Sequence, residues 1–269
     1  MSRSAWQDLR LNPGDREQLW ELFHENSKTS QYDYPPPDEE VLSMMALMWE
    51  SLPFEGYPVV ELPLERTPLD MPLGQAIESR VSARALTPVP VALADLATLL
   101  HSAYGITRLN LGTGYPRPFR SVPSGGALYP LELFCHTTLV EGIGSGLFHY
   151  DPTLNALHHL RERDATDKIA RAIVQPELVA GASLVLFVTA LFARTTFKYG
   201  DRGYRFALLE AGHVAQNVSL ACTGLGLVSV VLGGFFDRRA DELLKLDGVT
   251  HSTIYMIAVG GAGEEPAAS

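Results

Sequence analysis

Apolar residues along this chain recur in two rhythms, one of helices and one of buried strands. In 15–26 (DREQLWELFHEN) Leu19, Leu22 and Phe23 repeat at helical spacing, with Asp15 placed to cap the start. The stretch 92–105 (ALADLATLLHSAYG) is an amphipathic helix closed by a glycine. Runs rich in β-branched and aromatic residues predict strands: LELFCHTTLV from Leu131, ASLVLFVTALF from Ala182, VSVVLGG from Val228 and STIYMIAVG from Ser252, with GLFHYDP as a short one. Helices are predicted for GQAIESRVSARAL (74–86), ATDKIARAIV, FDRRADELLKL and the long run YRFALLEAGHVAQNVSLACTGLGL (204–227). That last helix is apolar nearly all round and rich in Ala and Gly. Such helices lie at the centre of a protein or across a dimer seam, where small side chains permit close backbone approach.

Between Ser30 and Pro90 the sequence turns Pro-rich and irregular, with one further helix at DEEVLSMMALMWESL and a stiff PPP connector at 35–37. The expected organisation is an N-terminal helical and irregular arm over 1–72, one main domain over 73–263 and a tail at 264–269. The arm is expected to pack on the main domain or on a partner subunit. Strands and helices alternate without the regular βαβ beat of a Rossmann domain. No GxGxxG follows a strand into a helix and no GxxxxGK[ST] occurs, so the dinucleotide and P-loop readings fail. The fold class expected is α+β.

Composition narrows the function. A chain of 269 residues, 46% apolar, can bury a full core in one domain. A formal charge of −10 leaves no basic surplus for a nucleic acid or for a polybasic membrane address. An anionic cofactor could still occupy a locally basic pocket. The first residues, MSRSAWQDLRLNPGD, lack the apolar core of a signal peptide, and no apolar stretch is long enough to span a bilayer. A soluble, cytoplasmic protein is expected. Cys135 and Cys222 have no metal-ligand spacing and read as small buried hydrophobes.

Three constellations could carry chemistry. In Arg80-Val-Ser-Ala-Arg84, two arginines at i and i+4 of a predicted helix flank a hydroxyl, a set suited to a phosphate monoester. The plainer reading is a solvated helix face. In Pro123-Ser-Gly-Gly-Ala-Leu-Tyr-Pro130, adjacent glycines would let the backbone approach a planar ligand, or simply turn the chain into a strand. From Arg194 to Arg205, and on to Glu210, His213, Gln216 and Asn217, polar groups crowd an apolar strand–helix junction. There Lys198 beside Tyr199 offers a base and a phenol together. A lysine crowded by Arg194, Arg202 and Arg205 gives up its proton more readily. The alternative is a loop of solvated charges with Glu210 paired to Arg205.

The strings RVSAR, RPFRSVPSGGALYPLELF, GLFHYDPTLNAL and KYGDRGYRFALLEAGHVAQNVSLACTGLGL with its following LGGF resemble the SagB-type dehydrogenase branch of the nitroreductase-like flavoproteins. The resemblance covers roughly Gly74 to Gly261, and the early FHENSK is similar to an N-terminal signature of that branch. It implies a dimer with two composite FMN sites and a central, mostly antiparallel sheet flanked by helices. It assigns Arg80, Ser82 and Arg84 to the FMN phosphate and ribityl chain, and Pro123, Ser124 and Gly125 to the isoalloxazine, often that of the other subunit. Glu210 and Ala211 would meet the flavin near N5, and Leu232, Gly233 and Gly234 would lie near the phosphate. Lys198 and Tyr199 match a pair implicated in substrate deprotonation. The chain departs from the family at its C-terminus, which ends GGAGEEPAAS without the usual basic residue; Arg238 or Arg239 would have to substitute.

The implied reaction is oxidation of a thiazoline or oxazoline to the thiazole or oxazole, with hydride passing to FMN and oxygen as final acceptor. The ring would sit on a peptide or on a carrier-bound peptide, with a cyclase or synthetase as partner. Two other classes stay open: an NAD(P)H-dependent reductase of small electron-poor molecules, and a non-catalytic FMN-binding scaffold.

Overall fold

A computed structural model describes residues 19–114 and 117–263. The chain divides into two compact units, Met1–Tyr34 and Pro35–Ser269. In the first, α1 (Leu19–Asn26) carries the predicted apolar repeat; its expected cap Asp15 lies outside the described residues, as does the 264–269 tail.

The second unit is built on an antiparallel sheet. Its strands are β1 (Val59–Glu61), β2 (Leu86–Thr87), β5 (Leu131–Thr137), β6 (Gly146–Asp151), β7 (Ala156–Arg161), β8 (Leu184–Leu191), β9 (Val228–Leu232) and β10 (His251–Ala262). They run in the order β1-β7-β6-β5-β8-β10-β2, with β9 also paired to β10. A separate two-stranded ribbon joins β3 (Ile106–Arg108) and β4 (Phe119–Arg120).

Strand periodicity separates two cores. On β8, Leu184, Leu186, Val188 and Ala190 face one cluster while Val185 and Phe187 face the other. Helices α4 (Leu93–Tyr104) and α8 (Asp201–Gly224) cover the first face. The short helices α5 (Thr166–Ala172), α6 (Glu177–Ala180) and α9 (Asp237–Leu244) cover the second. Burial on both faces explains why β8 reads as a nearly continuous apolar run and why even the polar residues of β5, Glu132 and His136 among them, are buried. Cys135 and Cys222 are free thiols inside this core, and burial pushes each up to about 12. The α+β class and the large antiparallel sheet flanked by helices are as expected, whereas β1, β2, β7 and α6 were not predicted.

The predicted 74–86 helix is corrected. Helix α3 spans only Leu73–Ser79, and Arg80 is already extended (φ −59°, ψ 125°). Ser82 bridges Ser229 of β9 in parallel, and the Ala83 N–H donates to the Ser229 carbonyl at 3.0 Å. Tertiary pairing thus overrides a helical propensity that is weak over so short a run. The predicted strand–helix junction is also more structured than expected. The run ARTTFKY forms its own helix, α7 (Ala193–Tyr199), and Gly200, at φ +53°, breaks it from α8. The helix predicted over 38–52 ends earlier, as α2 (Asp38–Leu47).

Candidate active site

The glycine loop leads into β5 through one tight turn, Gly125–Ala127, whose Gly126 sits at φ +65°. Ala127 (φ +53°) and Tyr129 (φ +47°) share the left-handed region, which costs a residue bearing a Cβ about 1–2 kcal/mol. Several bonds hold the strained turn. The Ser124 hydroxyl accepts from the Tyr129 N–H at 3.0 Å, and the Tyr129 phenol oxygen accepts from the Arg120 N–H at 2.9 Å. Buried Arg117 donates to the Leu128 carbonyl at 2.8 Å and to the Met48 carbonyl at 3.2 Å, tying the loop to the end of α2.

Helix α7 brings Lys198 and Tyr199 onto this turn. A Cβ placed on Gly126 would lie 2.7 Å from the Tyr199 Oη and 3.3 Å from the Lys198 Nζ. The Lys198 Nζ is 5.4 Å from the centroid of the Tyr199 ring, within cation–π range. Phe206, edge-on to Tyr199 at 5.0 Å, also abuts the place of a Cβ on Gly125. The two glycines thus admit the close approach of Phe206, Tyr199 and Lys198. Val41, Met45 and Leu128 close the far side, packed against Phe197 and Tyr199.

Beneath the turn lies Glu210, only 2% exposed. The Tyr104 hydroxyl donates to its Oε1 at 2.6 Å, while Oε2 is buried with no hydrogen-bond partner among the described residues. Burial pushes the carboxyl up to about 7, against the Ser124 and Tyr104 hydroxyls and the Arg120 charge, which favour the carboxylate. Glu210 is thus committed to Tyr104 rather than forming the Arg205 ion pair considered above. Because the folded state holds this proton more tightly, its stabilising effect is complete below the ordinary 4.5 and is lost as pH rises through about 7. The stability difference between wild type and Glu210→Gln should therefore change by roughly 3 kcal/mol across that window, in favour of Gln at higher pH. Urea unfolding at half-unit pH steps checks it; a constant difference would refute the raised carboxyl.

Beside the turn a cavity of about 380 Å³ opens, lined by Arg108, Phe119, Arg120, Ser124, Ala127 and Tyr129. Arg120 stacks over the rings of Tyr104 at 4.3 Å and Tyr129 at 5.0 Å, and Arg108 over Phe119 at 4.5 Å. Basic, aromatic and hydroxyl groups together suit a planar or anionic group.

The second group of predicted residues sits at the other end of α8. The chain runs extended from Arg80 to its bridge at Ser82 and bends at Arg84 and Ala85, so the i, i+4 helix spacing expected for Arg80 and Arg84 is absent. Ala83 packs inward, whereas Ser82 and Arg84 are exposed. Arg80 Nη1 reaches the Ser82 Oγ at 3.4 Å. Their anchor Ser229 lies 3.4 Å, hydroxyl to hydroxyl, from Ser219 of α8, and β9 continues into Leu232, exposed Gly233 and exposed Gly234. Gly234 accepts from Val174 at 3.0 Å and Arg239 donates to the Arg171 carbonyl at 2.7 Å. The structure thus joins Ser124 and Gly125 to Lys198, Tyr199 and Glu210 at one end of α8. It joins Arg80, Ser82 and Arg84 to β9 near the other end. Ala211 is buried beside Glu210 on α8.

Sequence reasoning missed Tyr104, Arg117, Arg120 and Glu132, whose partners all lie on other elements. Only the arginines left a trace, flanking prolines just before the glycine pair. Arg194, expected to crowd Lys198 as a cation, is buried and paired with Glu132 at 2.7 Å.

Comparison with known proteins follows the same outline. Residues 77–261 match the nitroreductase family. Protein MJ1384 of Methanocaldococcus jannaschii, which carries a nitroreductase name, is 36% identical over 66% of this chain and 86% of its own. The microcin B17-processing protein McbC of Escherichia coli is 30% identical over 54% of this chain and 56% of its own. The trifolitoxin-processing protein TfxB of Rhizobium leguminosarum is 31% identical over 64% and 48%. The chain therefore spans about half the length of the two processing proteins. Among solved structures, a Ralstonia eutropha protein with a nitroreductase name superposes with a TM-score of 0.64 at 24% identity, covering 88% of this chain and 98% of that one. A chain of the E. coli microcin synthetase McbBCD complex, solved with truncated pro-MccB17 bound, gives 0.56 at 22%, covering 93% and 99%. A Desulfovibrio desulfuricans protein solved with FMN gives 0.51 at 20%, covering 74% and 91%. At these identities the superpositions speak to the fold alone. Among the described residues no helix is long and apolar enough to cross a membrane, and no cluster of metal-ligating side chains occurs.

Proposed function

Since the chain belongs to the nitroreductase family, we propose that it is an FMN-dependent dehydrogenase of the SagB type. It would oxidise a thiazoline or oxazoline, on a peptide or a carrier-bound peptide, to the aromatic azole. The observation that carries this reading is the placement of Lys198 and Tyr199 directly against the Gly125–Gly126 turn, above buried Glu210. A reductase that only relays hydride between small molecules has no use for a base and a phenol at that point.

The residues present fit a flavin mononucleotide. Two guanidinium groups and a hydroxyl lie in one short stretch at Arg80, Ser82 and Arg84, a donor set for a phosphate monoester. At the other end, the Ser124 hydroxyl lining the cavity and the unpartnered Glu210 Oε2 offer contacts to a polar ring system. Ser219 and Glu210 are nine residues apart on α8, roughly 13 Å along its axis, a span that an elongated mononucleotide can bridge. When bound, FMN would supply the hydride acceptor. Lys198 would take the acidic Cα proton of the azoline ring at Nζ, and the Tyr199 hydroxyl would orient the ring by hydrogen bonding. Aromatisation supplies the driving force, and turnover would consume oxygen.

We assign the active form to a homodimer. Leu208 and Leu209 on α8 are 41% and 61% exposed, and Leu73 and Ile77 on α3 are 67% and 55% exposed, apolar area that a second copy would cover. Such pairing would allow the glycine loop of one chain to serve the cofactor of the other. A cyclase or synthetase partner is part of the same proposal, since the relative McbC, 30% identical over 54% of this chain, is a microcin B17-processing protein.

The test is anaerobic mixing of FMN-loaded protein with a thiazoline-bearing peptide while flavin absorbance is followed. Bleaching without nicotinamide, matched by loss of two hydrogens from the peptide, is expected. No bleaching with several azolines, but rapid bleaching by NADPH, would move the protein to the reductase class.

A further inference from the structure

Strand β5 reads as an apolar run, yet its second residue is a glutamate, only 2% exposed. Burying a carboxylate is costly unless it is fully paired, and Glu132 is paired from three directions. Oε1 receives Arg194 Nη2 at 2.7 Å and the Leu52 N–H at 3.1 Å. Oε2 meets His149 Nε2 at 2.6 Å. Burial alone would raise this carboxyl; the Arg194 guanidinium and the His149 hydrogen bond instead bring it down to about 2. It is ionised across the working pH range.

Its chief partner belongs to α7. That helix has seven residues and no side-chain N-cap, too little to hold a fixed geometry by itself. Arg194 and Lys198 are i and i+4 on it and share a face. Arg194 also reaches the Tyr129 carbonyl at 3.4 Å, at the exit of the glycine turn. One buried ion pair therefore fixes both the helix that carries Lys198 and Tyr199 and the loop they face.

We propose that Glu132, acting through Arg194, is a positioning residue that sets the Lys198–Tyr199 pair against the Gly125–Gly126 turn. This rests on the assignment of Lys198 as the base.

Glu132→Gln tests it in the FMN-loaded protein. Since a lone buried Arg194 could unfold the chain, the charge-neutral double variant Glu132→Gln with Arg194→Gln is measured beside it. Amide hydrogen exchange by mass spectrometry should quicken at least tenfold over 193–200 while the central strands β5 and β8 keep their protection. Azoline turnover should fall at least tenfold in kcat with KM changed less than twofold, and reduction of the bound flavin by dithionite should be unaffected. Unchanged exchange over 193–200, or exchange raised equally throughout the sheet, would overturn the proposal. Turnover kept in Glu132→Gln but lost in Lys198→Ala would overturn the positioning role alone. Turnover kept in Lys198→Ala would remove the lysine's role, leaving the exchange result to decide whether Glu132 anchors α7.

Discussion

Lys198→Ala should lower azoline turnover by roughly 10²–10⁴-fold, the usual contribution of a positioned general base, and leave bound flavin at wild-type stoichiometry. The separation is expected because the phosphate-type donors Arg80, Ser82 and Arg84 lie on the extended segment beside β9, whereas Lys198 touches the glycine turn at the other end of α8. Tyr199→Phe is the companion. It removes the hydroxyl closest to Gly126 but keeps the ring that packs on Phe206, Val41 and Met45. A smaller loss, about 10-fold, is expected from the Phe variant, since only an orienting hydrogen bond goes. Single-turnover reduction of the flavin by substrate measures both. If Lys198→Ala also sheds its flavin, the lysine is structural and the proton-abstraction reading fails.

Much of this arrangement was legible in the sequence, for reasons that differ from element to element. The strands at 131–137, 184–191, 228–232 and 251–262 announce themselves because both faces of the sheet are covered, so no polar alternation dilutes the signal. Helices α4 and α8 are long enough for their period to be read. The extended run of Arg80 to Arg84 was not legible, because only its bridge to Ser229, far along the chain, decides against helix. Its three polar residues stay close along the chain, with Arg80 reaching the Ser82 hydroxyl, but the bend at Arg84 removes the common helix face that the spacing implied. Helix α7 was hidden by two threonines and by Gly200, which together look like a loop.

The site residues divide the same way. Lys198, Tyr199 and the two glycines were visible as a pattern, and the fold brings them into contact. The groups that hold them were not visible. Glu132 looks like one stray charge in an apolar strand until Arg194 and His149 are placed beside it. Tyr104 looks like the last core residue of α4 until its hydroxyl is found between the Leu131 N–H and Glu210. Supporting residues of this sort owe their role to distant partners, which no local spacing encodes.

Arg84→Ala should produce the converse of the lysine variant: intact folding, weak flavin. Arg84 is exposed and makes no hydrogen bond or ion pair among the described residues, so its loss should shift stability by no more than about 0.5 kcal/mol. A charge-assisted pairing with a phosphate is worth about 1.5–3 kcal/mol, which corresponds to roughly a 10- to 150-fold rise in the Kd for FMN. Arg84→Lys should recover only part of this, because an ammonium keeps the charge but not the two-pronged guanidinium contact. Arg80→Ala should be less clean, since Arg80 is half-buried and its guanidinium already reaches the Ser82 hydroxyl. Added salt should weaken wild-type binding more than that of Arg84→Ala, as expected when one cation–phosphate contact is missing. Flavin titration of the apoprotein by fluorescence quenching, at two ionic strengths, gives both quantities. An Arg84→Ala protein that binds FMN as tightly as wild type, with the same salt dependence, would remove the phosphate from this stretch. The basic, aromatic-lined cavity at Arg108 and Arg120 would then be the next place to look for it.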